Sequence, residues 1–129
     1  MVTAENLAAR YVALWNETDP DARRAAIADL WRPGGTHFVG EREAKGYAAL
    51  ELRVTGSHEK NVRINGNRFR ARPGAQRLRD VVTFNWEMLP GNGETVLAVG
   101  LEFLVLDADD RIIADYQFII PDSAAGRRA

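Results

Sequence analysis

Residues 78 to 89, LRDVVTFNWEML, change character at every step. Leu78, Asp80, Val82, Phe84, Trp86 and Met88 share one face of an extended chain, and Arg79, Val81, Thr83, Asn85, Glu87 and Leu89 share the other. The first face is apolar apart from Asp80 and the second is mostly polar, the pattern of a strand with one face on a core. Such a strand needs partners, and two follow. Residues 95 to 106 are apolar on both faces, so that strand is expected to be covered on both sides. Residues 111 to 120 come after the acidic turn Asp107-Ala108-Asp109-Asp110. Pairing Leu106 with Arg111 across that turn sets Glu102 opposite Asp115, two carboxylates facing each other within apolar strands. A loop one residue different would set Glu102 opposite Ala114 or Tyr116 instead.

Ahead of these strands the apolar period is helical. Leu7, Tyr11, Leu14 and Trp15 make one face of a helix over 3–16. Asp19-Pro20 starts a second helix, with Ala26, Ile27, Leu30 and Trp31 as its stripe and Pro33-Gly34-Gly35 as its end. Residues 36–39 read as a short strand. A third helix begins near Gly46, with Tyr47, Leu50, Val54 and His58 on one face. From Asn61 the period becomes two, with Arg68 to Ala71 a strand and 72–75 a turn. Helices first and an antiparallel meander afterwards predict an α+β fold, helices packed on one face of a curved sheet.

The chain is long enough, at 129 residues, for one domain with a real core, expected over 1–120, and the polar tail 121–129 is expected to be flexible. A net charge of −1 leaves no excess positive charge to hold a phosphate backbone, so no nucleic-acid partner is expected. The absence of cysteine removes disulfides and thiolate chemistry. No signal peptide and no apolar run of membrane-spanning length is read, so a cytoplasmic protein without a membrane partner is expected.

Several residues suggest a pocket. Two carboxylates in a desolvated site cannot easily both ionise, so a facing Glu102–Asp115 pair would hold one proton near neutrality, unless an arginine between them neutralises both. Gly100, on the Glu102 face, either leaves room for a ligand or bends the strand. Asp80 is a third acid at the pocket mouth or a solvated strand end. Three acids on separate strands without a histidine ligand pattern do not define a metal site, and neither metal nor cofactor is expected. Trp15, Trp31 and Trp86 are core builders that would also suit a flat apolar or aromatic ligand. Val39, Val54, Phe84 and Gln117 complete the expected lining. His58 lies near a helix end, exposed or at the pocket. The arginines at 63, 68, 70, 72, 77 and 79 read mainly as a solvated face.

Three stretches, AARYVALWN, DLWRPGGTHFVG and GLEFLVLDADDRIIADYQF, together resemble the nuclear-transport-factor-2-like superfamily, more narrowly its SnoaL-like branch, over about residues 4 to 120. The resemblance rests on the order and spacing of elements. It implies a cone: a bent sheet wrapped around helices, with a pocket at the open end. By comparison with the ketosteroid isomerases of that superfamily, Tyr11 resembles the tyrosine that donates to a developing oxyanion, and Glu102 falls at a protonated aspartic acid that assists it. Val39 takes the place of the general base and cannot move a proton. His37, two residues away on the same strand face, is the replacement base, histidine being the side chain whose ordinary charge change lies nearest neutrality. A looser match to epoxide hydrolases would place Asp115 with Asn85 and Glu87, although the strand pattern turns both away from Asp80.

The implied function is a small-molecule pocket protein, an isomerase, dehydratase or cyclase that moves protons on a compact apolar carbonyl compound. Tyr11 and Glu102 would polarise an oxygen, with Asp115 or His37 as base. The alternatives are a ligand-binding module without turnover and a dimerisation domain. A homodimer through the sheet fits all three, because Leu101, Phe103 and Val105 need cover.

Overall fold

The computed structural model describes residues 1–121. Helix α1 (Ala4–Asn16) begins where the Thr3 hydroxyl accepts the Asn6 amide. Asp19 caps α2 (Pro20–Leu30) in the same way, through the Asp21 amide. This helix ends at Leu30, earlier than expected, because Trp31 is already extended. The Pro33-Gly34-Gly35 run lies inside strand β1 (Trp31–Val39). The pairing there slips between Trp31 and Thr36, and a Cβ at Gly35 would sit 2.7 Å from the Ile112 carbonyl oxygen. The breakers therefore shape an irregular strand.

Strand β2 (Arg42–Lys45), unforeseen in the sequence, folds back on β1. Helix α3 (Tyr47–Ser57) continues into a π-helical turn, His58–Ile64, so residues 61–64 are helical where a period-two pattern had been read. Strands β3 (Asn67–Ala71), β4 (Gln76–Leu78), β5 (Val81–Pro90), β6 (Ala98–Leu106) and β7 (Ile112–Ile119) follow. The single strand expected at 78–89 is thus two. Arg79 takes a left-handed φ of 54°, and Leu78 pairs back onto Val81. Leu78 and Asp80 are exposed at this turn, off the core face.

The sheet order is β2-β1-β7-β6-β5-β3, with β4 beside β5. Every pair is antiparallel except β1–β7, which is parallel and closes the chain's first strand onto its last. The β6–β7 register also differs from expectation. Leu106 pairs with Ile112, so the turn is one residue longer, and Ile113 is skipped between the Val105–Ala114 and Leu106–Ile112 pairs. Leu104 lies opposite Asp115, and Glu102 opposite Gln117. Two one-residue departures restore the parity of the strand. Glu102 and Asp115 therefore stay on one face as diagonal neighbours.

The concave face packs on α1, with Leu7, Tyr11, Trp15, Trp31, Phe84 and Leu104 in one core. On the outer face Phe103, Tyr116 and Phe118 are 38%, 40% and 54% exposed, so among the described residues nothing gives β6 the expected outer cover. The tail beyond Pro121 lies outside the described residues. Among the described residues no helix is long and apolar enough to cross a membrane.

Candidate functional site

A cavity of about 860 Å³ opens between the sheet and the α3–π-turn segment. Its inner wall carries Tyr11 and Trp15 from α1, His37 from β1, Trp86 from β5 and Gln117 from β7. Each element supplies these side chains by its own period. Tyr11 and Trp15 are four apart on the buried face of α1, and His37 pairs with Asp115 across the parallel β1–β7 ladder. Exposed Arg42, Leu52 and Lys60 lie at the opening, with half-buried Arg53 between them and the interior.

Behind the wall lies a hydrogen-bonded cluster. The Tyr11 hydroxyl oxygen is 2.9 Å from Glu102 Oε1 and 2.5 Å from Asp115 Oδ2. The Trp86 indole N–H donates to Glu102 Oε2 at 2.8 Å. His37 Nε2 is 2.9 Å from Gln117 Oε1 and 3.7 Å from Asp115 Oδ2. Both carboxylates are 0% exposed, and neither reaches the cavity wall.

One phenol proton cannot serve two ionised carboxylates. The distances are met if protonated Glu102 donates to the Tyr11 oxygen and Tyr11 donates to Asp115. Burial first, and then the charge of Asp115, holds the Glu102 carboxyl well above its usual range. Burial, followed by the charges of Asp115 and Glu102, raises the Tyr11 phenol well above its usual value, so it stays a neutral donor. Among the described residues no arginine bonds either acid; the proton and the two donors Tyr11 and Trp86 stabilise them.

Ligand-capable atoms of His37, Glu102 and Asp115 lie within 4.8 Å of one another. Imidazole with two carboxylates is a donor set that a divalent metal accepts. The Tyr11 hydroxyl already bonds both carboxylates, and Glu102 would have to release the proton its surroundings retain. The set fits a proton-sharing cluster better than a metal centre.

The other expected site residues separate into groups. Trp15, Trp86, His37, Gln117 and Tyr11 line the cavity. Trp31, Val39, Val54 and Phe84 are buried without lining it, Phe84 packing edge-on against Tyr11 at 5.4 Å. His58 is buried away from the cavity, its pKa lowered by burial and then by Arg23. Asp80 is at the exposed β4–β5 turn. Gly100 makes room for protein rather than ligand, since a Cβ there would fall 2.1 Å from the Trp86 ring. Asn85 and Glu87 are on the face away from the cluster, and Glu87 is bound by Arg70 and Arg72. Arg68 and Arg70 also pair with Glu94, and Arg77 with Asp110 of the acidic turn.

Arg42, Arg53, Lys60 and Asn61 were not foreseen as lining residues. Arg53 had a sequence signal, a cation set between Leu50 and Val54 in the apolar stripe of α3. Arg42 and the π turn had none, because β2 and the helical continuation were not read.

No family model matches the chain, and no curated protein matches it. Solved structures do. A proposed isomerase of the SnoaL-like family from Agrobacterium tumefaciens str. C58 superposes with a TM-score of 0.84 at 21% identity, over 94% of this chain and 100% of that one. A SnoaL-like protein of unknown function from Burkholderia thailandensis E264 gives 0.67 at 14% identity, over 92% and 94%. A proposed polyketide cyclase from Sinorhizobium meliloti gives 0.65 at 10% identity, over 87% and 93%. The chain has the nuclear-transport-factor-2-like fold, in the form seen in SnoaL-like proteins.

Proposed function

We propose that this is a small-molecule pocket protein that moves a proton on a compact, largely apolar carbonyl compound, in an isomerisation, dehydration or cyclisation. The observation that carries this reading is His37 on the cavity wall with Asp115, Tyr11 and Glu102 behind it. When Nε2–H is given to the Gln117 amide oxygen, the Nδ1 lone pair is left to act as base, and the buried Nδ1 has no partner among the described residues. The nearby Asp115 carboxylate stabilises the imidazolium that results. Trp15 Nε1, a buried donor on the wall without a protein partner, holds the ligand oxygen. Tyr11 and Glu102 keep the Asp115 charge in place from below. A cavity of this size and apolar lining suits a hydrophobic or aromatic molecule. The Agrobacterium neighbour's proposed isomerase activity belongs to the same class of chemistry.

The test is deuterium exchange into the α-carbon of cyclic ketones in D₂O, followed by proton NMR. The wild type is expected to catalyse exchange on at least one member of such a panel, and His37→Asn to lower the rate by about 100-fold or more. Ligands that bind without any exchange would instead favour the ligand-binding module. We also propose that a second copy covers the outer sheet face, where Phe38 stacks on Tyr116 at 5.0 Å and Phe103 meets Tyr116 edge-on at 6.3 Å.

A further inference from the structure

The cavity carries a charge that the proton-transfer cluster does not explain. Three cations line it, Arg42, Arg53 and Lys60, against one carboxylate, Glu43. Elsewhere the arginines at 24, 63, 68, 70, 72 and 77 have acidic partners, whereas Arg10, Arg23, Arg32, Lys45, Arg79 and Arg111 form no ion pair among the described residues and do not line the cavity. Among the described residues Arg42, Arg53 and Lys60 form no ion pair. The chain as a whole is at −1, whereas the pocket lining carries three cations and one carboxylate.

Arg53 is the centre of it. Its Nε is buried and has no hydrogen-bond partner among the described residues. Burial, and then the neighbouring Arg42 charge, lowers its pKa, and the more weakly felt charges of Asp115 and Glu102 act in the opposite direction. An unpaired buried donor and an unbalanced charge each cost free energy that a bound anion would recover. A planar guanidinium is shaped to hold a carboxylate through two parallel hydrogen bonds. Much of the remaining wall is apolar, with Trp15, Phe69, Trp86, Met88 and Ile119 beside the polar His37, Ser57, Asn61 and Gln117.

We propose that the ligand is an amphipathic carboxylic acid, its ring or chain among Trp15, Phe69, Trp86 and Met88 and its carboxylate held at the mouth by Arg53, with Arg42 and Lys60 beside it. This deepens the pocket reading above and rests on it. The carboxylate anchor at the mouth presents the inner end of the molecule to His37. Arg53 is then a specificity residue, separate from the group that moves the proton.

The experiment is isothermal titration calorimetry with naphthylacetate and its neutral isostere naphthylacetamide. The acid is expected to bind about ten-fold or more tightly than the amide. Added salt narrows the gap. Arg53→Gln brings the acid down to the affinity of the amide and leaves the amide unchanged, which also shows that the variant is folded; Arg42→Gln gives a smaller loss of the same kind. Equal affinity for the two probes in the wild type, or an acid preference that survives both substitutions, overturns the proposal and leaves the pocket reading standing. Binding of neither probe overturns the proposal together with the pocket reading.

Discussion

At the residue scale the centre of the molecule is a proton rather than a salt bridge. Glu102 binds its proton more tightly in the folded chain than in the unfolded one, where its ordinary value is 4.5. Its contribution to stability is therefore complete below about 4.5 and is lost as pH rises through the elevated folded value. Glutamine in its place cannot ionise and still offers an N–H to the Tyr11 oxygen. Glu102→Gln should have a melting midpoint that gains on the wild type between pH 5 and pH 8. A gain of a few degrees is expected, since about 1 kcal/mol moves the midpoint by about 4 °C in a domain of this size. Parallel curves for the two proteins, followed by circular dichroism, would show that Glu102 is ionised when buried. Gly100 supports the same cluster by its lack of a side chain. Gly100→Ala must displace the Trp86 ring and should cost about 1–3 kcal/mol in urea unfolding, with a shifted tryptophan emission.

At the element scale the decisive feature is the irregular β7 strand. Ile113 is skipped in the ladder and is 37% exposed, so the bulge absorbs one residue and Asp115 lies on the same inward face as Ile112. Deleting Ile113 removes the bulge and leaves every later pair in register, so it should be tolerated at a cost of about 1–2 kcal/mol. Inserting an alanine after Ala114 reverses the parity. Asp115 would face outward and Tyr116 inward, at a cost of about 3 kcal/mol or more from lost packing and hydrogen bonds. Denaturant midpoints of the two variants decide the matter: equal losses would mean that the parity of the strand from Asp115 onward does not govern its stability. That Glu102 and Asp115 share one sheet face was legible in the sequence because side chains alternate with period two, although they are diagonal rather than opposite as expected. Their partners were not. Turn length and a bulge are each a one-residue choice, made by packing against the core. The same limit hid the break at Arg79, where one left-handed residue ends a pattern whose alternation continues through it.

At the scale of the whole molecule, the sheet has one face on α1 and one face of aromatic side chains turned outward. Tyr116 and Phe103 lie near the middle of that outer face, on β7 and β6. A homodimer through it is expected in light scattering at micromolar concentration. Tyr116→Lys should shift it to monomer while leaving the cavity residues in place, because Tyr116 is on the opposite face from Asp115 and Gln117. A wild-type monomer at that concentration would remove the second copy from the proposal.

Local chemistry accounts for much of what the chain becomes. The helix starts at Thr3 and Asp19, the buried stripe through Tyr11 and Trp15, and the inward Val82, Phe84 and Trp86 all follow from capping and from periods of 3.6 and two, which are read over a few residues. Tertiary packing decided the rest. Only the assembled sheet pairs β1 with β7 in parallel and sets His37 beside Asp115. Only the filled core puts Glu102 and Asp115 behind the cavity wall instead of on it, and brings Arg42, Arg53 and Lys60 from separate segments to one opening. These are contacts between residues far apart in the chain, fixed by which pairs exclude water together. No local period records them.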